Sequence, residues 1–181
     1  ALFPASEEVR ALQRDVDEMK TMLEDYLAFA RGEGDEQAQP TDIGLMFEEL
    51  EAEAEILGAA VTSHLQGPPE VTLRPNAFKR ALTNLVTNAA RHGDRLNIDG
   101  RNADGWLTIT IEDDGPGVPV EERENVFRPF YQLDHARNRD SGGSGLGLAI
   151  ARDIVRAHGG DIVLGESETL GGLRARVRIP V

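Results

Sequence analysis

The 181-residue chain is acidic, with 32 Asp and Glu residues, 19 Lys and Arg residues and a formal net charge of −13 at pH 7. This charge argues against nonspecific binding to nucleic acid, whose phosphates would be repelled, but it leaves a local nucleotide site open. The absence of cysteine excludes disulfides, thiolate zinc sites and cysteine nucleophiles, and fits the cytoplasm. The sequence contains no run of about 18 apolar residues, so it predicts no membrane span.

The first predicted element is a helix over residues 1–31. Apolar residues recur at both seam positions of successive heptads from Leu2 to Ala30, which is typical of a coiled coil or helical bundle. A lone helix with such a stripe needs partner helices, so we expect it to form a bundle. The polar residues 32–40 predict a linker, and a separate domain is expected at 41–181.

The second domain alternates helical and strand patterns, which by themselves indicate an α+β fold. Thr41 or Asp42 is the expected N-cap of its first helix, and Asn76 is the expected N-cap of its second. The expected elements are a helix at 43–57, strands at 60–65 and 70–73, a helix at 77–92, a hairpin of 95–102 with 106–112, a short helix at 120–126, a loop at 127–144, a helix at 146–158, and strands at 161–165 and 173–181.

One predicted strand ends in residues that suit a flat ligand. The sequence from Ile109 to Gly117 is ITIEDDGPG, in which alternating apolar residues give way to Asp113, Asp114 and glycines. An ionised carboxylate accepts hydrogen bonds and donates none, which suits an exocyclic amine such as that of adenine. Glycine lets the backbone turn sharply and approach a ligand closely. Taken alone, the motif favours an ordinary turn.

Two further segments bear on this motif. Asn84 and Asn88 share one face of the second helix. They could be ordinary polar surface, but asparagine is a poor helix former, so two on one face of a strong helix are unexpected. An amide oxygen is a suitable ligand for Mg²⁺. Downstream, residues 143–148 read GSGLGL and lead into a helix, whose exposed N–H groups bind anions. This segment is neither a Walker A loop nor a Rossmann fingerprint.

In this order, the three motifs resemble the ATP-binding domain of bacterial sensor histidine kinases, within the GHKL group that includes DNA gyrase and MutL. The motif sequences are most similar to those of EnvZ-like kinases, and the resemblance runs from about residue 41 to residue 181. It implies the GHKL (Bergerat) fold, a two-layer α/β sandwich with a mixed, mostly antiparallel sheet covered on one face by three helices. It also implies binding of ATP with Mg²⁺ and phosphoryl transfer by positioning and charge neutralisation.

The resemblance implies individual roles for residues of this chain. Asn88 would bind Mg²⁺ directly, and Asp113 would accept the adenine amine, while Asp114 would shape the turn. The FRPF segment at 127–130 resembles the F box, which anchors an ATP lid, although both phenylalanines are equally compatible with a core position. The ATP-binding set implied in this way is Asn84, Asn88, Arg91, His92, Asp113, Gly115, Gly117, Phe130, Arg137, Gly143, Gly145, Leu146, Gly147 and Leu148.

The chain departs from the family pattern in three places. The helix at 1–31 resembles the second helix of the dimerisation and phosphotransfer hairpin, yet none of the four histidines has the context of a phosphoacceptor on a preceding helix. Either the chain is a fragment cut after the first helix, or the protein lacks the acceptor. Because the chain starts at Ala1 and not at Met, we expect a fragment, which would bind ATP without autophosphorylating. Gln132 stands where many members have arginine, a charge that Arg137 or Arg139 could supply. His92 stands where the family often has Tyr, and packing is its alternative role.

The resemblance also implies partners. These are a response regulator receiver domain and a second copy of the chain, joined through the N-terminal helical bundle, with no nucleic acid. The domain would be the cytoplasmic part of an inner-membrane sensor. The alternatives are a non-enzymatic nucleotide-binding phosphotransfer adaptor, or another GHKL enzyme such as an ATPase or an anti-sigma-factor kinase.

Overall fold

The computed structural model describes residue 16, residues 36–133 and residues 144–181. The predicted helix at 1–31 therefore lies outside the described residues, apart from Val16, which is helical. The described elements are, in chain order, β1 (Gln39–Asp42), α1 (Ile43–Ile56), β2 (Ala60–Gln66), β3 (Glu70–Leu73), α2 (Pro75–His92), β4 (Arg95–Ala103), β5 (Trp106–Asp113), α3 (Gly147–Ala157), β6 (Asp161–Glu166) and β7 (Leu173–Pro180).

The main sheet has five strands in the order β2-β4-β5-β7-β6. Only the β2–β4 pair is parallel among the described strands, since β4–β5, β5–β7 and β6–β7 are all antiparallel. The side chains of Leu107, Ile109 and Ile111 are buried, whereas the alternate residues Thr108 and Thr110 are half-buried on the other face. This alternation is that of a sheet covered on one side.

The three described helices cover that buried face and share one core with it. The apolar side of α2 is buried where the sequence predicted it, including Phe78, Leu82 and Leu85. Helix α1 contributes Phe47 and Leu50 to the same core. The predicted two-layer α/β sandwich, with a mixed and mostly antiparallel sheet, is therefore confirmed.

A second, two-stranded sheet was not predicted. Strand β1 pairs antiparallel with β3, so that Gln39 lies opposite Leu73. The last two residues of the predicted linker at 32–40, Gln39 and Pro40, belong to this strand, so the predicted linker extends two residues too far. Proline is compatible with a strand at a sheet edge, where its missing N–H is not needed. The sequence of β1, QPTD, lacks the apolar alternation that marked β3, so β1 could not be recognised without its distant partner.

The helix caps were predicted correctly at one helix and wrongly at the other. The Asp42 carboxylate accepts a hydrogen bond from the Leu45 N–H at 3.1 Å, which confirms it as the N-cap of α1. Helix α2, however, begins at Pro75, so Asn76 lies inside its first turn. The Glu36 carboxylate accepts from the N–H groups of Asn76 and Ala77 at 2.8 and 2.9 Å, so a distant residue replaces the local cap.

The remaining differences are local. The predicted hairpin is confirmed, with Asp104 and Gly105 at φ values of 56° and 74°, as its tight turn requires. The predicted helix at 120–126 is instead two 3₁₀ turns, Val120–Glu122 and Asn125–Phe127. In these turns only Val126 and Phe127 are buried, so no continuous apolar face stabilises a full α-helix.

Candidate nucleotide site

Asp113 is the most constrained of the predicted site residues. It ends β5 and is only 2% exposed. Its Oδ1 atom accepts hydrogen bonds from the N–H groups of Gly115 and Leu173 at 2.9 and 3.0 Å. Both hydrogen bonds recorded within residues 36–133 and 144–181 go to Oδ1, which leaves Oδ2 to accept a hydrogen bond from a ligand. The carboxylate is thus oriented before any ligand arrives.

Burial raises the pKa of the Asp113 carboxyl, and the two backbone N–H donors from Leu173 and Gly115 partly oppose this shift. Desolvation penalises the charged form, whereas donors directed at the carboxylate favour it. The N–H groups therefore hold a charged acceptor in a largely dry position. Such a carboxylate forms stronger hydrogen bonds with an amine than a solvated one would.

Three stretches of backbone meet around this carboxylate with little spare room. A Cβ added at Gly115 would lie 2.6 Å from the His92 carbonyl oxygen. A Cβ added at Gly172 would lie 2.5 Å from both the carbonyl oxygen and Oδ1 of Asp113. Gly117 has a φ of +69°, a conformation that favours glycine. Glycine at these positions is required by close approach or by backbone conformation.

Gly172 and Leu173 are site residues that the sequence reasoning missed. The Gly172 N–H donates to the Asp113 carbonyl oxygen at 3.1 Å, next to the bond from the Leu173 N–H to the carboxylate. The pair Gly171-Gly172 directly before the last strand was the available signal, because adjacent glycines often mark a close backbone approach. The sequence could not indicate which backbone they approach.

Asp114 has a structural role, as predicted. Its carboxylate accepts from the N–H groups of Asp94 and Arg95 at 2.8 and 2.9 Å, and from the Arg95 Nε at 2.8 Å. The side-chain bond from Arg95 is the main cause that lowers the pKa of Asp114 to about 2. These bonds tie the start of β4 to the end of β5 and fix the turn that follows Asp113.

A second cluster lies where α2 meets the start of α3. The Asn84 side chain is half-buried, and a Cβ added at Gly147 would lie 3.7 Å from its Oδ1. Asn84 Nδ2 is buried and has no hydrogen-bond partner within the described part of the chain. A buried donor without an acceptor is costly, and a helix N-terminus is a natural place for an anion. A phosphate oxygen at this point would satisfy the amide.

Phe130 and Gly145 form the third cluster. The Phe130 N–H donates to the Gly145 carbonyl oxygen at 3.0 Å, and both residues have positive φ values, of 65° and 68°. A Cβ on Gly145 would lie 2.9 Å from the Phe130 carbonyl carbon. Phe127 is buried, but Phe130 is 64% exposed, so a core position is wrong for Phe130. The two stretches that flank residues 134–143 are therefore joined here.

The other predicted site residues are less closely held. Arg91 and His92 are exposed in the last turn of α2, where the backbone oxygen of His92 packs against Gly115. Leu146 is buried directly before α3, and Asn88 and Leu148 are half-buried. Among the described residues, no group of three or more His, Asp or Glu side chains is arranged to hold a metal ion. Arg137 and Gly143 lie outside the described residues.

Helix α2 connects the clusters. Asn84, in the middle of the helix, faces the start of α3, and His92, at its C-terminal end, lies against the Asp113 turn. The eight-residue separation corresponds to about 12 Å along the helix axis at 1.5 Å per residue. One helix therefore contributes its C-terminal end to the surroundings of the Asp113 carboxylate and its middle to a glycine-rich candidate anion site.

Residues 73–181 match the family model described as the histidine kinase-, DNA gyrase B-, and HSP90-like ATPase. The chain belongs to this ATPase family. Sensor histidine kinase CpxA of Escherichia coli (strain K12) is 35% identical over 184 residues, which cover 97% of this chain and 40% of that protein. Sensor protein RstB of the same strain is 34% identical over 92% of this chain and 40% of its own length. The chain thus spans about two fifths of the curated relatives that it matches.

The solved structures agree with this family assignment. The histidine kinase domain of the E. coli osmosensor EnvZ has a TM-score of 0.61 at 36% identity, covering 82% of this chain and 92% of that one. The ATP-binding domain of PrrB from Mycobacterium tuberculosis has a TM-score of 0.66 at 26% identity, covering 80% and 97%. The ATPase domain supports ATP as the nucleotide used. Within the described residues, no helix is both long and apolar enough to cross a membrane.

Proposed function

We propose that this chain is the catalytic part of a two-component sensor histidine kinase, which transfers the γ-phosphoryl group of ATP to a histidine outside the chain. The similarity to sensor kinases, which extends over 97% of the chain, supports this reading. The observation that carries it is the Asp113 carboxylate, which is buried, held by two backbone N–H groups and left with one oxygen for an adenine amine.

The nucleotide would lie along α2. The adenine amine would donate a hydrogen bond to Asp113, and the base would lie above the backbone of Gly115 and Gly117. The phosphates would lie towards Asn84 and the start of α3, where the unpaired Asn84 Nδ2 offers a hydrogen bond to an anionic oxygen. The separation of about 12 Å between the two ends of this stretch of α2 suits an extended nucleoside triphosphate. Arg91 and His92, both exposed, would lie near its path.

Mg²⁺ would be held by the amide oxygen of Asn88 together with phosphate oxygens and water. The donor set fits, because Mg²⁺ accepts few protein ligands and keeps waters and phosphate oxygens in its shell. Asn88 lies one turn from Asn84 on the same face of α2. When bound, the ion would neutralise phosphate charge, while the residues of this chain orient the nucleotide.

The acceptor histidine and its acidic neighbour would lie on a helix that precedes residue 1. The helix predicted at 1–31 would pair with it, and a second copy of the chain would complete a four-helix bundle. A response regulator receiver domain would then take the phosphoryl group. In this arrangement the described domain acts on the cytoplasmic side of a membrane sensor.

Incubation with γ-labelled ATP tests the proposal. The chain alone should take up no acid-labile phosphate on His64, His92, His135 or His158, whereas a longer protein that includes the upstream residues should become labelled. Replacing Asp113 by Asn in the longer protein should reduce labelling at limiting ATP. Acid-labile phosphate on the chain alone would contradict an acceptor outside it, and ATP hydrolysis without labelling of the longer protein would indicate a different ATPase.

A further inference from the structure

Arg152, in the middle of α3, has no role in the nucleotide contacts described above, yet its side chain is only 14% exposed. Its Nη1 lies 2.8 Å from Glu124 Oε2, and its Nε lies 3.3 Å from Asp161 Oδ1. Its Cζ lies 4.4 Å from the centroid of the Phe127 ring, in a cation–π arrangement. A single guanidinium therefore joins α3 to the 3₁₀ segment at 120–127 and to the start of β6.

This contact holds one side of the phosphate end of the site. Phe127, beneath the guanidinium, lies three residues before Phe130, whose N–H is bonded to the Gly145 carbonyl oxygen. Gly147, at the start of the same helix as Arg152, lies against Asn84. The placement of the 127–130 stretch relative to α3 thus sets where the Gly145 backbone lies relative to Gly147. A planar guanidinium that both stacks and hydrogen-bonds specifies that placement more narrowly than an apolar contact.

Arg156 shows what an arginine of purely surface character looks like on the same helix. It lies one turn further on and shares the acceptor Asp161, also at 3.3 Å. Its side chain is 52% exposed, and within residues 36–133 and 144–181 its ion pair is with Asp161 alone. It therefore offers a matched control that keeps helix, charge and one acceptor in common with Arg152.

We propose that Arg152 is a positioning residue for the phosphate end of the nucleotide site. It acts through Phe127 and Glu124 on the Phe130–Gly145 junction and touches no part of the nucleotide. The proposal rests on the proposed function, because it presupposes ATP with its phosphates at the start of α3. It predicts that loss of Arg152 weakens binding of the phosphates and not of the base. The surroundings of Asp113 are built from β5, the β6–β7 loop and the end of α2, none of which Arg152 holds in place.

The test compares Arg152→Gln with Arg156→Gln by measuring dissociation constants for ATP and AMP in the presence of Mg²⁺. Arg152→Gln should weaken ATP binding about tenfold, the equivalent of one charge-assisted hydrogen bond, and AMP binding by less than about twofold. Arg156→Gln should change neither. Arg152→Lys, which keeps the charge without the planar stack, should fall between the two. Thermal unfolding of each variant separates a loss of affinity from a loss of fold.

Equal weakening of ATP and AMP by Arg152→Gln, or an ATP affinity equal to that of Arg156→Gln, would overturn the proposal. If Arg152→Gln does not fold, the same two dissociation constants are measured for Glu124→Gln and Arg152→Lys. In both variants the ratio of ATP affinity to AMP affinity should fall. Failure of the unsubstituted chain to bind ATP would contradict the proposed function itself, and this inference with it.

Discussion

The two ends of the proposed nucleotide site are built differently. At the adenine end, Asp113 is 2% exposed, and backbone N–H groups from two segments fix its carboxylate. At the phosphate end, Asn84 has a buried donor with no partner in the described chain, and Phe130 is 64% exposed. We infer that base selection is fixed by the fold, whereas the phosphate end is completed by its ligand.

The strongest way to break the adenine end is Gly172→Ala. The new Cβ would lie 2.5 Å from the Asp113 carbonyl oxygen, from its Oδ1 and from the Gly115 nitrogen, so backbone must move. Overpacking of this kind costs about 1–3 kcal/mol or more, and we expect ATP binding to be lost or severely weakened. Chemical denaturation and calorimetric titration measure the two effects.

Gly171→Ala is the matched control. Gly171 has a φ of +88°, but a Cβ there meets nothing within 4 Å. This variant should lose about 1 kcal/mol of stability through backbone strain and keep its affinity for ATP. If the two variants bind ATP equally well, the close approach at Gly172 does not shape the site.

Asp113→Asn removes the chemistry of the adenine end while keeping its shape. An amide cannot accept from Gly115 and Leu173 and also present a charged acceptor to an amine, so ATP binding should weaken by about 1.5–3 kcal/mol. Preference for ATP over GTP should fall as well. Asp114→Asn, one residue along, should lower stability through its bonds to Asp94 and Arg95 and leave the preference intact. Calorimetry with both nucleotides tells these cases apart.

Glu36→Ala tests the start of α2, the helix that joins the two ends. Its carboxylate accepts from the N–H groups of Asn76 and Ala77 and from the Asn76 side chain. Loss of this cap should lower the free energy of unfolding by about 1 kcal/mol, with little effect on nucleotide affinity. Glu48→Ala, an exposed glutamate on α1, is the control and should be neutral. A loss of ATP affinity at constant stability would contradict a purely capping role.

The smallest expected effect is a pH dependence far from both ends. Burial lowers the pKa of His158, whose Nε2 accepts from the Arg74 N–H at 3.3 Å, against opposing influences from the Ile154 carbonyl and Glu36. Because the folded pKa lies below the unfolded value of 6.5, the neutral ring favours folding above pH 6.5, and this contribution is lost as pH falls further. The free energies of unfolding of the wild type and of His158→Gln should therefore converge as the pH falls below 6.5. An unchanged difference would show that protonation of His158 is not linked to folding.

Features with local signals were predictable from the sequence. The alternation in β5, the Asp42 cap and the Asp104-Gly105 turn each depend on residues close together in the chain, and all three are confirmed. The assignment of Asp113 and Asn88 to nucleotide and metal came from a family resemblance and stays a prediction for these residues. The helix at 1–31 likewise stays a prediction.

Features that depend on distant residues were not predictable. Strand β1 is defined only by its pairing with β3, and the cap of α2 comes from Glu36, forty residues before it in sequence. Gly172 became a site residue only once its contact with Asp113 was known. In each case the sequence carried a compatible residue type but no information about which backbone it would meet.

The most direct test of the difference between the two ends is a crossed titration of the wild type, Asp113→Asn and Asn88→Asp with ATP and GTP, each with and without Mg²⁺. We predict that Asp113→Asn loses the preference for ATP over GTP and keeps its Mg²⁺ dependence. Asn88→Asp should keep the base preference and depend more strongly on Mg²⁺, because its added carboxylate repels metal-free phosphates. If Asp113→Asn alters the Mg²⁺ dependence, or Asn88→Asp alters the base preference and leaves the Mg²⁺ dependence unchanged, the two ends are not separate and the account is contradicted.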